Sequence, residues 1–538
     1  MVNAGESRLA ALALALAGDQ QDIPATERAL AIGSPRIARH VIAETRAQIL
    51  AGGDPLGIEF CLLRNSVQRR EVGATYTPSL IVDTMIGWAR RRSRSPERIV
   101  DPGCGSGRFL LAAATEFPNA KLIGVDIDPL ATLMLRANAA VRGCLDRLMV
   151  IQDDYRRIVL PPAQGQTVFI GNPPYVRHHN ISAQWKDWLA DTARQHGFKA
   201  SKLAGLHIHF FLKTRQLAKV GDIGSFITAA EWLDVNYGSL LRNLLADGLG
   251  GTDIQLIDPK AEPFADAMTT GAITCFSVGK RPRSVHLSHA KNLDELAAPS
   301  LCNTVAWKEL SASSKWSPFL LGRPERPDGF IELGELFRIH RGAVTGNNSV
   351  WVESSDAPVV PERYKFPAVT RARELLAAGE ELIDPRPLKK VIGLPVHLDA
   401  LTAAEQRQVR EYLRWAERHG ASASYIATHR PSWWSVQLRE PAPVLCTYMA
   451  RRAPAFVLNT ANALHLNIAH GLYPRQELPR HLLKRIVNYL VYNVDAAAGR
   501  TYAGGLIKFE PRELERILIP PLDFFHEKPS YLDQRRAH

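Results

Sequence analysis

Apolar residues recur along this chain at two spacings, and the places where one gives way to the other divide it into segments. Residues 1–68 carry the helical spacing, with an alanine–leucine run from Leu9 to Gly18 made of strong helix formers. They hold no chemical motif, so a helical segment packed on the adjoining domain is expected. Gly73-Ala74-Thr75-Tyr76-Thr77-Pro78 breaks the pattern, and Leu80, Ile81, Met85, Ile86 and Ala89 restore it. Thr77 is the expected cap of that helix, with Pro78 at its first position. From Arg98 short apolar runs alternate with helical stretches: strands at 98–101, 122–126, 148–152, 167–170, 225–228 and 272–278, and helices at 109–114, 129–141, 209–218 and 237–245. This alternation predicts an α/β domain, doubly wound around a mainly parallel sheet, over 69–285. The rhythm fades over 286–328, amid Pro324 and Pro327, which reads as a junction. Residues 329–538, richer in aromatics and arginines, form a second domain of less regular, mixed α+β structure.

Composition adds a partner class. A chain of 538 residues exceeds one ordinary core, and a formal charge of +12 with a pI near 9.4 favours a polyanion. Six cysteines without paired spacing (Cys61, Cys104, Cys144, Cys275, Cys302, Cys446) argue against a disulfide framework or a zinc cluster and fit a reducing cytoplasm. The Leu9–Gly18 run lacks the basic flank of a signal peptide, because only Arg8 precedes it and Glu6 opposes it. No apolar run is long enough to span a bilayer. The basic run Arg90-Arg91-Arg92-Ser93-Arg94 fits a solvated helix end.

Two strand ends carry the candidate chemistry. Asp101-Pro102-Gly103-Cys104-Gly105-Ser106-Gly107 leaves one strand and opens a helix, so its glycines give a ligand close access to the backbone. The spacing differs from the G-x-G-x-x-G dinucleotide fingerprint. Asp126 closes the next strand, about twenty residues on, where an acid accepts the hydroxyls of a ribose. Together they predict a nucleoside-containing cofactor. Asp153 and Asp154 end the third strand, and Asp154, followed by Tyr155, is the candidate acceptor for an adenine amine. Gly171-Asn172-Pro173-Pro174-Tyr175 follows the buried run Val168-Phe169-Ile170 and makes a stiff turn facing the same crevice.

Gly73 to Pro78, Asp101 to Phe109, Asp126, Asp154-Tyr155 and Asn172 to Tyr175 occur in the order found in amino-directed DNA methyltransferases of the gamma class, which this chain resembles. Segments 334–352, 448–459 and 501–508 look like those of type II adenine-specific modification enzymes. The resemblance implies a Rossmann-like class I domain with a seven-stranded sheet, S-adenosylmethionine as cofactor, and a target-recognition domain after the catalytic one. It carries the cofactor role to Tyr76, Thr77, Asp101, Gly103, Gly105, Gly107, Phe109, Asp126, Ile127, Asp154, Tyr155 and Asn172. The target amine falls to Asn172, through its side-chain oxygen, and to the carbonyl of Pro173; neither is a general base. A paired base cannot reach such a crevice, so the target adenine must be flipped out and stacked, on Tyr175 and, by resemblance, Phe264.

Arg341, Arg451 and Arg452 are the candidate contacts to double-stranded DNA, beside a loop containing Gly342, Gly346 and Asn347. His178, His179, His207 and His209 have no acid or cysteine at ligand spacing, so no metal is expected. The expected setting is the bacterial cytoplasm, in association with the nucleoid, as a monomer or dimer, with any cognate restriction endonuclease acting separately. Three alternatives stay open: a glutamine methyltransferase of release factors, which shares Asn-Pro-Pro-Tyr, a modification subunit of a multi-subunit type I system, and a DNA-binding module without activity. A nuclease domain in the same chain is not expected, since fewer than about eighty residues precede the motifs.

Overall fold

The computed structural model describes residues 4–18, 23–64, 77–258, 261, 270–299, 301–321, 327–450, 452–494, 499–502 and 506–526. The chain divides into two compact units, 1–323 and 324–538.

The first unit is built on a nine-stranded sheet: β1 Arg98–Asp101, β2 Lys121–Asp126, β3 Leu148–Gln152, β4 Thr167–Gly171, β5 Ile223–Ala229, β6 Gly251–Ile257, β7 Gly271–Ser277, β8 Ser284–Ala290 and β9 Leu301–Ala306. Their spatial order is β3-β2-β1-β4-β5-β7-β6-β8-β9. β1 to β5 pair in parallel; β7 runs antiparallel between β5 and β6, β8 is parallel to β6, and β9 closes the edge antiparallel. The chain leaves β1 towards β2 and β3, then returns to lay β4 on the other side of β1. That reversal opens a crevice outside the carboxyl ends of β1 and β4.

Residues of β4 alternate between two cores, as a strand buried on both faces must. Val168 and Ile170 pack with helices Ser79–Arg92 and Arg108–Glu116, whereas Phe169 joins Phe211, Phe226 and Phe276 on the opposite face. Helices Ala4–Ala17, Arg39–Leu50 and Pro55–Leu63 cover helix Pro129–Val141, burying Leu9, Ala13, Leu56 and Phe60 against Leu130, Leu133 and Met134. A buried Glu27 accepts from Thr132 Oγ1 at 2.8 Å and pairs with Arg136 Nε at 3.1 Å.

Three expectations need revising. The sheet has nine strands rather than seven, because residues 286–328 are not a loose junction: they supply most of β8, all of β9, and helices Trp307–Ala312 and Ser317–Leu321. Their signal is faint in sequence because one apolar face is spread over a few positions, Val285, Leu287 and Val305, between polar neighbours. The division falls at Arg323 and Pro324. Finally, Pro78 stands at the cap position and Ser79 opens the helix, so Thr77 lies one residue outside and makes no cap.

The second unit holds a five-stranded sheet in the order Phe337–Arg341, Ala469–Pro474, Val444–Thr447, Phe456–Asn459 and Glu381–Leu382. Helix Arg480–Asn493 packs Leu482, Ile486 and Leu490 on one face of it. Helix Ala403–Arg418, started by the reciprocal Thr402–Glu405 capping box, carries Val409 and Tyr412 into a separate cluster around Trp351.

Trp316 tests the revised boundary. It is 1% exposed, with its ring edge-on to Trp232 at 5.9 Å and Trp307 at 5.5 Å. We predict that Trp316→Ala destabilises the first unit by about 3–5 kcal/mol in chemical denaturation. A cost within experimental error would return residues 307–321 to the status of a linker.

Candidate active site

β1 ends in the turn that begins the glycine loop. Asp101 is buried, its Oδ1 accepts from Gly103 N at 3.3 Å, and its Oδ2 has no partner among the described residues. Burial, with Asp126 nearby, pushes its carboxyl up to about 8. The loop is held from β2 by Cys104 N donating to the Val125 carbonyl at 3.0 Å. Gly105 and Gly107 have φ of +51° and +95°, a backbone region costly to residues with a Cβ. At Gly107 a Cβ would also stand 2.4 Å from Leu135 Cδ1.

Asp126 closes β2. Its Oδ2 accepts from Gly105 N and its Oδ1 from Asp128 N, each at 3.0 Å. Burial outweighs those donors and raises it to about 6. Asp128 caps the following helix through Leu130 N at 2.9 Å and pairs with Arg64, which also bonds Glu6 at 2.7 Å. The N-terminal helices thus grip the loop that presents Asp126.

Beyond β3, Asp154 meets Arg156, whose Nε donates to Oδ1 at 2.9 Å and Nη2 to Oδ2 at 2.6 Å, while its backbone N donates to Oδ1 at 3.0 Å. Burial acts upward on Asp154, but these donors overcome it and leave the carboxyl below its usual range. The Arg156 guanidinium lies 3.7 Å over the Trp185 ring. Asp154, expected to accept an adenine amine, is therefore already engaged at both oxygens, and Asp153 is the more exposed of the two acids. Tyr155 is buried, with its hydroxyl 3.0 Å from Thr214 Oγ1 and its ring 5.0 Å from Phe210.

At the end of β4, Asn172 is half-buried and Pro173 buried. Asn172 Nδ2 donates to Thr77 Oγ1 at 3.0 Å, whereas its Oδ1 is sealed from bulk solvent and has no partner among the described residues. Tyr175 donates its hydroxyl to the Ile227 carbonyl at 3.2 Å, and its ring packs against the core.

One cavity of about 170 Å³ joins these elements. Thr77, Gly103, Gly105, Phe109, Asp126, Ile127, Asp154, Tyr155 and Asn172 all line it. Asp101, Gly107, Pro173 and Tyr175 do not: Asp101 lies beneath the loop, and Gly107 caps helix Arg108–Glu116. Tyr76, Phe264 and Arg451 fall outside the described residues. Sequence reasoning missed Phe60 and Cys61 from the N-terminal helices, and Leu206 and Phe210 from helix Leu206–Leu217. Only the apolar periodicity of those helices could have pointed to them.

Arg341 is exposed with its guanidinium 4.5 Å over the Tyr448 ring, and Arg452 is exposed. His207 and His209 are buried and held down at about 4 and about 3 by burial, which keeps them neutral. Among the described residues no three His, Cys, Asp or Glu side chains are grouped to hold a metal, and no helix is long and apolar enough to cross a membrane.

A mainly parallel sheet with a glycine loop after β1 and acids after β2 and β3 is the arrangement of a class I methyltransferase domain, and residues 99–194 match the family described as a methyltransferase domain. Residues 162–259 match the Eco57I restriction-modification methylase, and 320–535 the C-terminal domain of type II methyltransferase M.Eco57I. Type II methyltransferase M.XamI of Xanthomonas campestris pv. amaranthicola is 49% identical over 97% of this chain and 99% of its own length. M.AccI of Acinetobacter calcoaceticus is 21% identical over 86% of this chain and 88% of its own. Of solved structures, the type IIG restriction endonuclease BpuSI aligns with a TM-score of 0.46 at 15% identity, covering 99% of this chain and 71% of that one. The chain belongs to the type II restriction-modification methyltransferases and is a DNA methyltransferase.

Proposed function

We propose that this enzyme methylates the exocyclic N6 amine of an adenine flipped out of double-stranded DNA, with S-adenosylmethionine as donor, in the bacterial cytoplasm. The observation that carries the reading is Asn172: a buried amide oxygen left without a partner among the described residues, on a side chain that lines the cavity at the strand ends. A buried acceptor without a donor costs about 1–3 kcal/mol, and a substrate N–H restores the bond. Adenine's amine offers two hydrogens and a lone pair delocalised into its ring. Gripping the hydrogens from Asn172 Oδ1 and the Pro173 carbonyl holds the nitrogen towards tetrahedral geometry and frees the lone pair. Catalysis then rests on positioning and fixed dipoles, and the proton leaves to solvent after transfer.

The cavity fits the donor. Gly103 and Gly105 leave its backbone open, Asp126 suits ribose hydroxyls, and the acid pair Asp153–Asp154 suits an adenine amine. When bound, the cofactor supplies a methyl group on a positively charged sulfur, so no stronger electrophile has to be generated. Tyr175, and Phe264 outside the described residues, are the proposed stacking partners of the target base. Arg341, Arg451 and Arg452 are proposed DNA contacts, and a separate cognate endonuclease is the proposed partner in restriction.

The chain alone, incubated with unmethylated DNA and cofactor labelled in its methyl group, should yield N6-methyladenine. Label at a cytosine amine or in a protein glutamine would overturn the assignment, and activity only with added subunits would point to a multi-subunit system. Asn172→Ala should lower turnover at saturating cofactor by about 10²–10³-fold, more than any loss of cofactor affinity that follows from its place in the cavity wall.

The raised carboxyl of Asp126 gives a second prediction. Asp126 lines the cavity and is held up at about 6, so at lower pH it carries a proton in the free protein, whereas a hydroxyl donor favours its ionised form. Binding at acid pH therefore releases a proton, and affinity falls as pH drops through this value. Calorimetry should show cofactor affinity rising about threefold or more from about pH 5.5 to about pH 7.5, with a buffer-dependent heat. A flat profile would show that Asp126 does not change its proton on binding.

A further inference from the structure

Asn172 is tied to the N-terminal helices by an unbroken run of hydrogen bonds. Its Nδ2 donates to Thr77 Oγ1 at 3.0 Å, and the Thr77 carbonyl accepts from Arg108 Nη1 at 2.7 Å. Arg108 Nε in turn donates to Asp54 Oδ2 at 2.8 Å, and the same oxygen accepts the Ser106 hydroxyl at 2.5 Å. Asp54 Oδ1 accepts from Gly57 N at 2.9 Å, fixing the start of helix Pro55–Leu63. Thr77 and Asp54 are 3% and 7% exposed, so water cannot readily replace these partners.

An amide side chain has two orientations related by a half-turn, and only one turns its oxygen towards a substrate amine. Thr77 Oγ1 sits on the nitrogen side and holds that orientation by accepting from Nδ2. Thr77 cannot shift without dragging Arg108, whose guanidinium bridges it to a buried carboxylate. We propose that Asp54, Arg108 and Thr77 are positioning residues for methyl transfer: a relay through which the N-terminal segment sets the amide orientation of Asn172. This gives residues 4–64 a catalytic purpose besides covering helix Pro129–Val141. It rests on the reading of Asn172 as the group that grips the target amine.

Thr77→Val keeps the shape and removes the acceptor, and Thr77→Ser keeps the acceptor. The relay predicts that Thr77→Val, assayed at saturating cofactor because Thr77 also lines the cavity, lowers kcat about ten- to hundredfold beyond any change in the cofactor dissociation constant, and that Thr77→Ser restores most of the loss. Asp54→Asn, which retains an oxygen for Gly57 N but loses the charge facing Arg108, should lower kcat in the same direction. Combined with Thr77→Val it should add little, because both changes act on one orientation. All variants are compared in the full chain by circular dichroism, cofactor calorimetry and single-turnover methylation. Wild-type kcat in Thr77→Val would overturn the relay, as would a loss of cofactor affinity that accounts for the whole effect. Should Thr77→Val fail to fold, Asp54→Asn decides, and an unchanged kcat there overturns the proposal. Asn172→Ala separates the two levels: normal turnover in it removes the underlying reading, whereas an inactive Asn172→Ala beside fully active Thr77→Val and Asp54→Asn removes the relay alone.

Discussion

The active centre depends on how closely two parallel strand ends approach each other. β1 and β4 pair in register through Val100 and Phe169, and the two strands end at Asp101 and, two residues past Phe169, at Gly171, which meet at the rim. A Cβ at Gly171 would lie 2.3 Å from Asp101 Oδ1. The buried carboxyl occupies the space a side chain would need, so the strand that carries the catalytic turn must end in glycine if the strand that carries the loop ends in this acid. The two prolines then direct the chain away from the sheet, since they supply no N–H to continue a ladder and fix φ. Asn172 thereby reaches the cavity while Pro173 stays buried.

That packing sets the electrostatics. Asp101 and Asp126 are both taken from water near one another, and among the described residues neither has a guanidinium or ammonium partner; backbone amides are the donors they receive. Asp154, one strand over, has Arg156 and is lowered instead of raised. The difference separates a carboxyl already compensated by a neighbouring cation from two that are not, and of those two Asp126 lines the cavity.

Much of the first unit was legible because its signals are local. β1 to β4 are short, wholly or partly apolar runs ended by chemically distinctive residues, and helix Pro129–Val141 starts at an Asp-Pro step at which Asp128 forms the cap. The gathering of Asp126, Asn172 and the glycine loop around one cavity follows from strand order, which the alternating pattern constrains to a few topologies. The features that escaped reading are non-local or side-chain specific. Asp54 sits in an unremarkable Gly-Gly-Asp-Pro helix start, and its partners Ser106 and Arg108 lie more than fifty residues along the chain. Arg156 follows Asp154 by two residues, yet nothing in the spacing shows that its side chain folds back onto the acid. β8 and β9, the last two strands on one side of the sheet, are hidden among Pro, Lys and Arg because each shows one apolar face, and a few residues of alternation are not distinguishable from a loop.

Residues 1–68 carry no chemical motif, yet they touch the cofactor region in two places. Arg64 links Glu6 to Asp128 beside the ribose-level acid, and Asp54 links the glycine loop to Thr77. Both contacts are charge-assisted and substantially shielded, so each is worth more than a surface pair and each is costly to leave half-made. Loosening these helices would therefore disturb Asp126 and Asn172 together, through different residues. Phe60 and Cys61 line the same cavity, so helix Pro55–Leu63 supplies part of its wall, held in place by the Asp54 cap and the apolar packing on helix Pro129–Val141.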